Sequence, residues 1–172
     1  MVTEKLSEKH KLFVNSFNSG NDALDAFIKS DKAFDMSYGT TYVWMDDLET
    51  EIIGYYNISV GTFDFIDNGI RLKQCGAAHI NCLAITEKFQ GQQVQNTEGA
   101  HKFKLSDVIL LDCINRINEI RNFIGIGCIT LSSTDQGRSL YKRADFEDVE
   151  PDNCFTDTEG EKKTTDMYLI LD

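Results

Sequence analysis

The sequence predicts an α+β domain in which a β-sheet carries helices on its faces. Two segments place apolar residues at the spacing of an amphipathic helix, and a central block is rich in β-branched and aromatic residues. In chain order, the predicted elements are a helix, three strands, a helix, a strand, a helix and a final strand. The 172 residues, 41% of them hydrophobic, are enough for one packed core, so we expect a single domain over residues 1–172.

The first half of the chain predicts one helix and three strands. Leu24, Phe27 and Ile28 recur at helical spacing after a polar, cap-like run, which predicts a helix from Asn21 to Phe34. The segments TTYVWM, EIIGYYNISVGTFDFI and HINCLAIT follow it. Their composition, and the acidic or glycine-containing turns between them, are typical of an antiparallel meander.

The second half alternates helices with strands. An apolar stripe along SDVILLDCINRINEI predicts a second helix, with Ser106 as its N-cap. FIGIGCITL is typical of a buried strand, and STDQGRSLYKRADF of a short helix in which Ser133 and Gln136 have capping-box spacing. KTTDMYLILD predicts the last strand, and the acidic segment ADFEDVEPDNCFTDTEGE before it predicts a solvated loop.

Charge and hydropathy exclude several classes of function. With a formal net charge of −11, the chain is not expected to present a broad nucleic-acid-binding face, which requires clustered lysine and arginine. The N-terminal segment MVTEKLSEKHK is too polar for a signal peptide, and no apolar run approaches the roughly 20 residues that cross a bilayer. We therefore expect a soluble, cytoplasmic protein without a membrane partner.

The cysteines predict neither a metal centre nor a redox pair. They are odd in number, form no C-x-x-C motif and lie mostly within apolar segments. This pattern favours buried thiols in a reducing compartment. The five are Cys75, Cys82, Cys113, Cys128 and Cys154.

The segment EKFQGQQVQNTEGAHKFK resembles a phosphate-binding turn between a strand and a helix. In such turns, backbone N–H groups and the N-terminus of the helix bind the anion. Glutamines stand here where glycines are expected, and glycine is favoured because a Cβ would crowd the phosphate. From the residues alone, an ordinary polar loop is the alternative.

Three stretches together resemble the GNAT family of N-acetyltransferases over nearly the whole chain. HINCLAITEKFQGQQV is similar to the family's fourth strand and pyrophosphate turn, SDVILLDCI to the next helix, and GRSLYKRADFE to the late helix with its Leu-Tyr pair. FNSGNDALDAFIKSDKAF, TTYVW and IIGYYNISVGTF add a narrower likeness to acetyltransferase toxins of bacterial toxin–antitoxin pairs. The resemblance implies the acyl-CoA N-acyltransferase fold, a mixed and mostly antiparallel sheet flanked by helices.

In function, the resemblance implies an N-acetyltransferase that uses acetyl-CoA as co-substrate and acetylates a primary amine of an unidentified acceptor. Two alternatives stay open: a toxin that acts on aminoacyl-tRNA, and a non-catalytic GNAT-fold binding protein with a degenerate CoA site. The acidic charge argues against a nucleic-acid partner without excluding tRNA. A homodimer and an antitoxin partner are also compatible with the resemblance.

The resemblance also implies a set of cofactor-binding residues. The family turn Gln/Arg-x-x-Gly-x-Gly/Ala, laid on Gln90, puts Gln93 and Gln95 at its two small positions, and about ten residues separate the turn from the helix. The turn would bind diphosphate through its backbone, with charge from Lys102 or Lys104, and the end of the preceding strand would pair with pantetheine. The implied set is Leu83, Ala84, Ile85, Gln90, Gly91, Gln92, Gln93, Val94 and Thr134.

Tyr141 matches the tyrosine that serves the family as the acid for the departing thiolate, with packing as its alternative role. Asp145 stands where the family has a glycine. Thr134 takes the place of a pantetheine-binding asparagine, although helix capping is an alternative for it and for Ser133.

The resemblance leaves the general base open among Asp64, Glu87 and His79, or a chain of waters. His79 stands at the head of an apolar strand and also fits a structural role. The remaining histidines, His10 and His101, lie in polar segments and are expected to face solvent.

Overall fold

Nine strands and four α-helices occur within the part of the chain that the computed structural model describes, which is 3–67, 70–95, 102–149 and 164–171. The helices are α1 (Lys11–Val14), α2 (Asp22–Lys29), α3 (Leu105–Ile120) and α4 (Asp135–Arg143). The strands are β1 (Glu4–Lys5), β2 (Thr40–Met45), β3 (Ile52–Asp67), β4 (Ile70–Ile85), β5 (Gln93–Gln95), β6 (Lys102–Lys104), β7 (Cys128–Thr134), β8 (Glu147–Asp148) and β9 (Thr164–Ile170).

Seven of these strands form a mixed sheet in the order β1-β2-β3-β4-β7-β9-β8, and β5 and β6 form a separate hairpin. β4 and β7 are parallel, whereas the pairs β1/β2, β2/β3, β7/β9 and β8/β9 are antiparallel. A parallel neighbour requires a crossover connection, which contains α3 here. The predicted mixed, mostly antiparallel sheet flanked by helices is confirmed. None of the described helices is both long and apolar enough to span a membrane.

Contacts divide the chain into two compact units, and β3, β4 and α3 contribute residues to both. The first unit comprises Met1–Ser59 and Asn81–Arg116, and the second comprises Val60–Ile80 and Ile117–Asp172. The predicted single domain stays a prediction.

The core of the first unit is aliphatic and aromatic. Ile28, Val43 and Tyr55 are completely buried, and the ring of Phe17 meets that of Tyr55 edge-on at 5.3 Å between centroids. Burial of each large side chain contributes about 1.5–3 kcal/mol to folding. The cluster joins α1, α2 and the strands, and it consists of Leu6, Val14, Phe17, Ile28, Ala33, Val43, Ile52, Tyr55 and Ala84.

The core of the second unit is built around aromatic rings on neighbouring strands. Phe63 stacks on Tyr168 at 5.4 Å and meets Phe65 edge-on at 4.8 Å. Ala77 and Cys128 complete this cluster from β4 and β7. This face of the sheet is therefore filled by apolar residues close to its β4 and β7 strands.

The first helix is shorter than predicted. The Asn21 side chain accepts hydrogen bonds from the N–H groups of Ala23 and Leu24 and caps α2, as the polar run indicates. α2 nevertheless ends at Lys29, and a separate 3-10 turn covers Asp31–Phe34. Ser30 is extended, and its hydroxyl donates to the carbonyl of Phe27 at 2.7 Å, which favours an end to the helix there.

The three central strands occur where they were predicted, but the predicted start of β4 is wrong. The predicted start of the later strand β7 is also wrong. β4 begins at Ile70, nine residues before His79, because the polar segment that precedes His79 extends the β3–β4 part of the sheet. β7 begins at Cys128 instead of Phe123. Gly76 of β4 allows the segment before β7 to approach closely, since a Cβ on Gly76 would lie 2.1 Å from the carbonyl oxygen of Gly125.

The predicted caps of the two later helices are displaced, by two residues at α3 and by one residue at α4. α3 begins at Leu105, so Ser106 lies inside its first turn, and the Asp107 carboxylate accepts the N–H of Lys104 at 3.1 Å. α4 is capped by Thr134, whose hydroxyl accepts the N–H of Gly137 at 3.2 Å. The Ser133 hydroxyl instead donates to the carbonyl of Thr134.

The prediction that His10 faces solvent is wrong. His10 is 1% exposed, its Nδ1 accepts the N–H of Ser7 at 2.9 Å, and its Nε2 lies 3.2 Å from Glu4 Oε1. The ring thereby closes the 3-10 turn Glu8–His10 against β1, a use that the polar neighbours of His10 do not indicate. His101 lies outside the described residues.

The prediction of buried thiols is confirmed for two of the four described cysteines, all of which are free. Cys113 and Cys128 are buried, and Cys75 and Cys82 are half-buried. Burial raises the pKa of Cys82 to about 11, so its thiol is protonated near neutral pH. Cys154, and with it most of the acidic segment predicted as a loop, lies outside the described residues.

Candidate active site

The parallel pairing of β4 with β7 stops before either strand ends. It runs from Ala77 opposite Cys128 to Ile80 opposite Leu131, and no further pair occurs among the described residues. β4 nevertheless continues to Ile85, and β7 continues to Thr134.

Leu83, Ala84 and Ile85 are the last three residues of β4. The side chains of Ala84 and Ile85 are buried, and Leu83 is half-buried. Gly54 of β3 allows a close approach to this strand end, since a Cβ there would lie 2.8 Å from the carbonyl oxygen of Ala84. The buried side chains of Ala84 and Ile85 leave their backbone groups as the ones that can contact a ligand.

Gln90 anchors the turn that follows β4. Its side-chain amide donates to the carbonyl of Ile85 at 3.0 Å and to the carbonyl of Ser19, in the segment before α2, at 2.7 Å. Gly91 then has φ +73°, in the left-handed region that favours glycine. The turn thus keeps a glycine at the position where its backbone requires one.

Gln93 and Gln95, which replace the family's small residues, lie in β5. A strand needs no positive φ, so its backbone accommodates glutamine at these positions. β5 pairs with β6 as a hairpin, with Gln93 opposite Lys104, Val94 opposite Phe103, and Gln95 opposite Lys102. Residues 96–101 and the side chain of Lys102 lie outside the described part.

The hairpin returns the chain to the turn and begins α3 there. The N–H of Leu105, the first residue of α3, donates to the carbonyl of Gln92 at 3.1 Å. The helix N-terminus is thus joined to the turn by a hydrogen bond, despite the twelve residues between Gln92 and Leu105. The long insertion, which sequence reasoning treated as a departure from a phosphate-binding turn, leaves the strand–turn–helix connection intact.

Charged groups around the turn are partly neutralised by pairing. Lys88 Nζ lies 2.6 Å from Glu51 Oε1, and the Glu87 carboxylate accepts from the Asn18 side-chain amide at 3.4 Å. Lys104 has an exposed side chain, whereas Asp107 accepts the backbone N–H of that same lysine. Lys104 thus brings a positive charge to the start of α3, where Asp107 already places a negative charge.

In the second unit, Tyr141 lies on the buried side of α4. The side chain is 8% exposed, and its ring meets that of Phe146 at 5.7 Å between centroids. An ideal Cβ on Gly137, one turn earlier, would lie 3.4 Å from the Tyr141 ring. A glycine at that position therefore leaves room for the tyrosine ring.

Asp145, two residues after the last residue of α4, has a backbone conformation that a glycine usually adopts. Its φ is +62°, its N–H donates to the carbonyl of Lys142, and the N–H of Phe146 donates to the carbonyl of Tyr141. These bonds form a Schellman motif with Asp145 at its left-handed position. Asp145 thus occupies a backbone position that favours glycine.

We expect Asp145→Gly to stabilise the protein, because glycine relieves the cost of a left-handed residue. The gain should be roughly 0.5–1 kcal/mol, which raises Tm by about 1–4 °C for a chain of this length. Ala144→Gly is the control, since Ala144 has φ −101° and gains no relief. A fall in Tm for Asp145→Gly in a thermal melt would contradict the explanation.

Thr134 has an exposed side chain, and its hydroxyl caps α4. The capping alternative is confirmed for Thr134 and is wrong for Ser133. A contact of Thr134 with pantetheine stays a prediction.

The three base candidates differ in their surroundings. Asp64 accepts from Gln74, and this hydrogen bond lies at the surface. Glu87 is exposed and accepts from Asn18. His79 is half-buried, with Nδ1 2.9 Å from the Thr130 hydroxyl.

Burial lowers the pKa of His79, and the negative charge of Asp166 acts in the opposite direction. Asp166 is 8% exposed, and its carboxylate accepts from the Ser132 hydroxyl at 2.5 Å. Sequence reasoning missed Asp166 and Ser132. The available signal was an aspartate directly before the apolar run MYLIL, within the segment predicted as the last strand.

The described fold is similar to that of several solved toxin structures. No protein-family model matches the chain, and no curated protein matches it. The structure of a tyrosine-to-phenylalanine mutant of the toxin AtaT has 14% identity and a TM-score of 0.75, and the match covers 98% of this chain and 88% of that chain. The same mutant bound to the C-terminus of the antitoxin AtaR and acetyl-CoA has 17% identity and a TM-score of 0.69, with 98% and 92% covered.

A third structure, AtaT complexed with acetyl-methionyl-tRNAfMet, has 17% identity and a TM-score of 0.70, and the match covers 98% of this chain and 94% of that chain. At these identities, the likeness establishes the fold. The chain has the GNAT-like fold of these toxin structures, as the sequence resemblance predicts.

Proposed function

We propose that the protein is an acetyl-CoA-dependent N-acetyltransferase that acetylates a primary amine. The observation that carries this proposal is the connection of β4, the turn Gln90–Gln92 and the N-terminus of α3, joined by the bond between Leu105 and Gln92. Such a connection binds phosphate through backbone N–H groups and the helix dipole. The structure of AtaT with acetyl-CoA on a similar fold supports coenzyme A as the source of that phosphate.

In this proposal, the backbone supplies most of the contacts with acetyl-CoA. Gln92, Gln93 and Val94 donate N–H groups to the diphosphate, while Gln90 and Gly91 shape the turn. Leu83, Ala84 and Ile85 pair with the pantetheine amides as an additional strand, and one of their N–H groups polarises the thioester carbonyl. The early end of the β4–β7 pairing supports this role.

Tyr141 is the proposed acid. Its hydroxyl protonates the thiolate that leaves when the carbon–sulfur bond breaks. Thr134 is proposed to contact pantetheine at the start of the same helix. The position of Tyr141 on α4, packed against Phe146, is consistent with an oriented ring.

An aminoacyl-tRNA is the second candidate acceptor, because AtaT was solved with acetyl-methionyl-tRNAfMet. The net charge of −11 weighs against extended contacts with tRNA phosphates. Recognition of such an acceptor would have to concentrate on the aminoacylated end of the tRNA. A toxin role would also imply an antitoxin partner. We propose a cytoplasmic location, and a homodimer is the proposed assembly.

The function can be tested with acetyl-CoA and a panel of three amines. Calorimetric titration should show saturable binding of acetyl-CoA, and labelled acetyl-CoA should acetylate one of methionine-charged initiator tRNA, spermidine or a lysine-containing peptide. Binding without transfer to any of the three would favour the non-catalytic alternative. Absence of binding would contradict the proposed function as a whole.

We expect the double variant Lys102→Ala and Lys104→Ala to bind acetyl-CoA more weakly. Loss of two positive charges beside the diphosphate should raise Kd about 3- to 10-fold at low salt, and the difference should shrink as salt is added. The measurement is a titration with acetyl-CoA at two ionic strengths.

A matched control removes the same charge elsewhere in the first unit. Lys9→Ala with Lys11→Ala changes two surface lysines that pair with Glu4 and Glu8. The control should bind acetyl-CoA as the unmodified protein does. Equal affinities of both double variants would show that the hairpin lysines do not contribute to the phosphate site.

A further inference from the structure

We propose that His79 is the general base of the transferase reaction proposed above, and that Asp166 stabilises its protonated form. The inference rests on the proposed function and adds two residues to it, one of them a catalytic residue and the other a positioning residue. It also assigns the two proton transfers to opposite faces of β7. All residues involved belong to the second unit.

Thr130 holds the imidazole of His79 in place. His79 lies opposite Thr130 in the parallel β4–β7 register, and Nδ1 is 2.9 Å from the Thr130 hydroxyl. Thr130 is 1% exposed, so this contact is shielded from water. When Nδ1–H donates to the Thr130 oxygen, the lone pair of the neutral ring is on Nε2, which is the nitrogen that takes up the proton.

The charge that acts on His79 comes from Asp166. Ser132 lies opposite Asp166 in the β7–β9 register, and its hydroxyl donates to Asp166. Burial lowers the pKa of His79, so the ring is neutral near pH 7 and can accept a proton. Once the ring is protonated, the negative charge of Asp166 stabilises it.

Three neighbouring strands contribute the groups that the structure describes around His79 on this face. β7 contributes Thr130 and Ser132, β3 contributes aromatic rings to the neighbouring cluster, and β9 contributes Asp166 and Tyr168. The Tyr168 hydroxyl donates to the carboxylate of Glu147 on β8. Asp166 is thus the charge that acts on His79 among the groups described on these strands.

His79 and Tyr141 lie on opposite faces of β7. Side chains alternate along β7, whose pairing with β9 is regular from Cys128 to Thr134, so Ser132 and Ser133 point to opposite faces. An ideal Cβ on Gly137 of α4 would lie 3.2 Å from Ser133 Oγ and 3.4 Å from the Tyr141 ring. α4 and Tyr141 therefore lie on the Ser133 face, and His79, Thr130 and Asp166 share the other.

In the proposed reaction, the base acts on the incoming amine, and the acid acts on the departing sulfur. The acceptor ammonium gives one proton to His79, and the neutral amine attacks the thioester carbon. The nitrogen–carbon bond forms, the carbon–sulfur bond breaks, and the thiolate takes the proton of the Tyr141 hydroxyl. The second proton lost by nitrogen restores the tyrosine through solvent, and His79 releases its proton to water. The net products are the acetylamide, the CoA thiol and one proton.

Asp64 and Glu87 are weaker candidates on the same evidence. Each is held at the surface by an amide side chain, from Gln74 and Asn18 respectively. Among the described contacts of these two carboxylates, neither has a counterpart of the Thr130 hydroxyl that holds the His79 ring. His79 combines a neutral ring, a fixed orientation and a stabilising charge.

The test uses His79→Gln and His79→Ala with the amine of the panel above that the unmodified protein acetylates. We expect kcat to fall about 100-fold or more at pH 7.5, with the Kd for acetyl-CoA unchanged. The rise of kcat with pH, which should have its midpoint below about 6.5 in the unmodified protein, should disappear. Added imidazole should restore part of the activity of His79→Ala, which a merely structural histidine would not allow.

Asp166→Asn provides a second, independent readout. Removal of the negative charge lowers the pKa of His79 further, so the midpoint of the pH profile should move to lower pH and kcat should fall about 10-fold. Asp64→Asn is the control and should change neither value. Thermal melts of all variants establish that each is folded, and His79→Gln serves where His79→Ala does not fold.

The outcomes separate this inference from the proposed function. If no amine of the panel is acetylated, both fail. If the unmodified protein transfers acetyl groups, but His79→Gln keeps its turnover within about 3-fold and keeps the same pH profile, the role of His79 is wrong and the proposed function stands.

Discussion

Tyr141→Phe should reduce acetyl transfer by about 10- to 1,000-fold, which is the scale of a proton-transfer residue. The variant retains the ring that packs on Phe146 at 5.7 Å, so the protein should stay folded. The loss should appear in kcat with little change in the Kd for acetyl-CoA, because the hydroxyl acts on the departing sulfur and not on the diphosphate. Steady-state kinetics with a calorimetric Kd measure both quantities.

Tyr42→Phe is the matched control for loss of a tyrosine hydroxyl. Tyr42 is half-buried in β2, where its ring stacks on that of Tyr56 at 5.3 Å. This control should keep its turnover. Turnover of Tyr141→Phe within a factor of about 3 of the unmodified protein at neutral pH would leave Tyr141 with a packing role and would remove the acid from the proposed mechanism.

The opposite faces of β7 give the Tyr141 prediction a further consequence. If His79 and Tyr141 act at different stages, one on the incoming amine and one on the leaving sulfur, their single variants should differ in pH dependence. His79→Gln should lose the rise of kcat with pH, whereas Tyr141→Phe should retain it. The same pH profile in both variants would indicate that they disturb one common step.

Much of the fold could be predicted from the sequence because its elements have strong local signals. The β-branched and aromatic runs became β2, β3 and the end of β4, and the apolar stripe of SDVILLDCINRINEI became α3. The beginning of β4 was missed, since polar strand residues have no apolar alternation and depend on their neighbour β3. The burial of His10 was missed for a similar reason, because its partner Glu4 becomes visible only when β1 is in place.

The candidate site shows the same division between local and long-range information. The positions of Gln90 and Gly91 followed from a motif, but the hairpin β5–β6 did not, because pairing of Val94 with Phe103 is a contact across residues with no strong strand signal. Asp166 was missed because its relation to His79 depends on the register of β7 with both of its neighbours. A single sequence contains no direct record of such registers.

The hairpin also changes how the glutamines of the turn are understood. Gln93 and Gln95 were expected to crowd a phosphate, yet they lie in an extended strand, and Gly91 occupies the left-handed position. The conformational requirement for glycine is therefore met one residue after Gln90. What distinguishes this turn from a short one is that its helix is reached through a hairpin and is then held by the bond from Leu105 to Gln92.

Gln90→Ala should weaken acetyl-CoA binding strongly, because Gln90 is the side chain that holds the turn in place. Its amide nitrogen donates to two carbonyls, those of Ile85 and Ser19, and these hydrogen bonds join the turn to the end of β4 and to the segment before α2. Loss of both bonds costs about 1–3 kcal/mol. If the turn must then be ordered by the ligand, that cost corresponds to about a 5- to 150-fold rise in Kd.

Gln92→Ala is the control for this variant. Gln92 lies two residues further along the same turn, is exposed, and donates one side-chain bond to the carbonyl of Lys88 at 3.0 Å. Its replacement leaves the backbone N–H in place, so acetyl-CoA should bind with nearly unchanged affinity. Calorimetric titration and a thermal melt of both variants separate a weakened site from a general loss of stability. An unchanged Kd for Gln90→Ala would show that the turn keeps its shape without the anchor, and that the order needed for binding comes from the bond between α3 and Gln92.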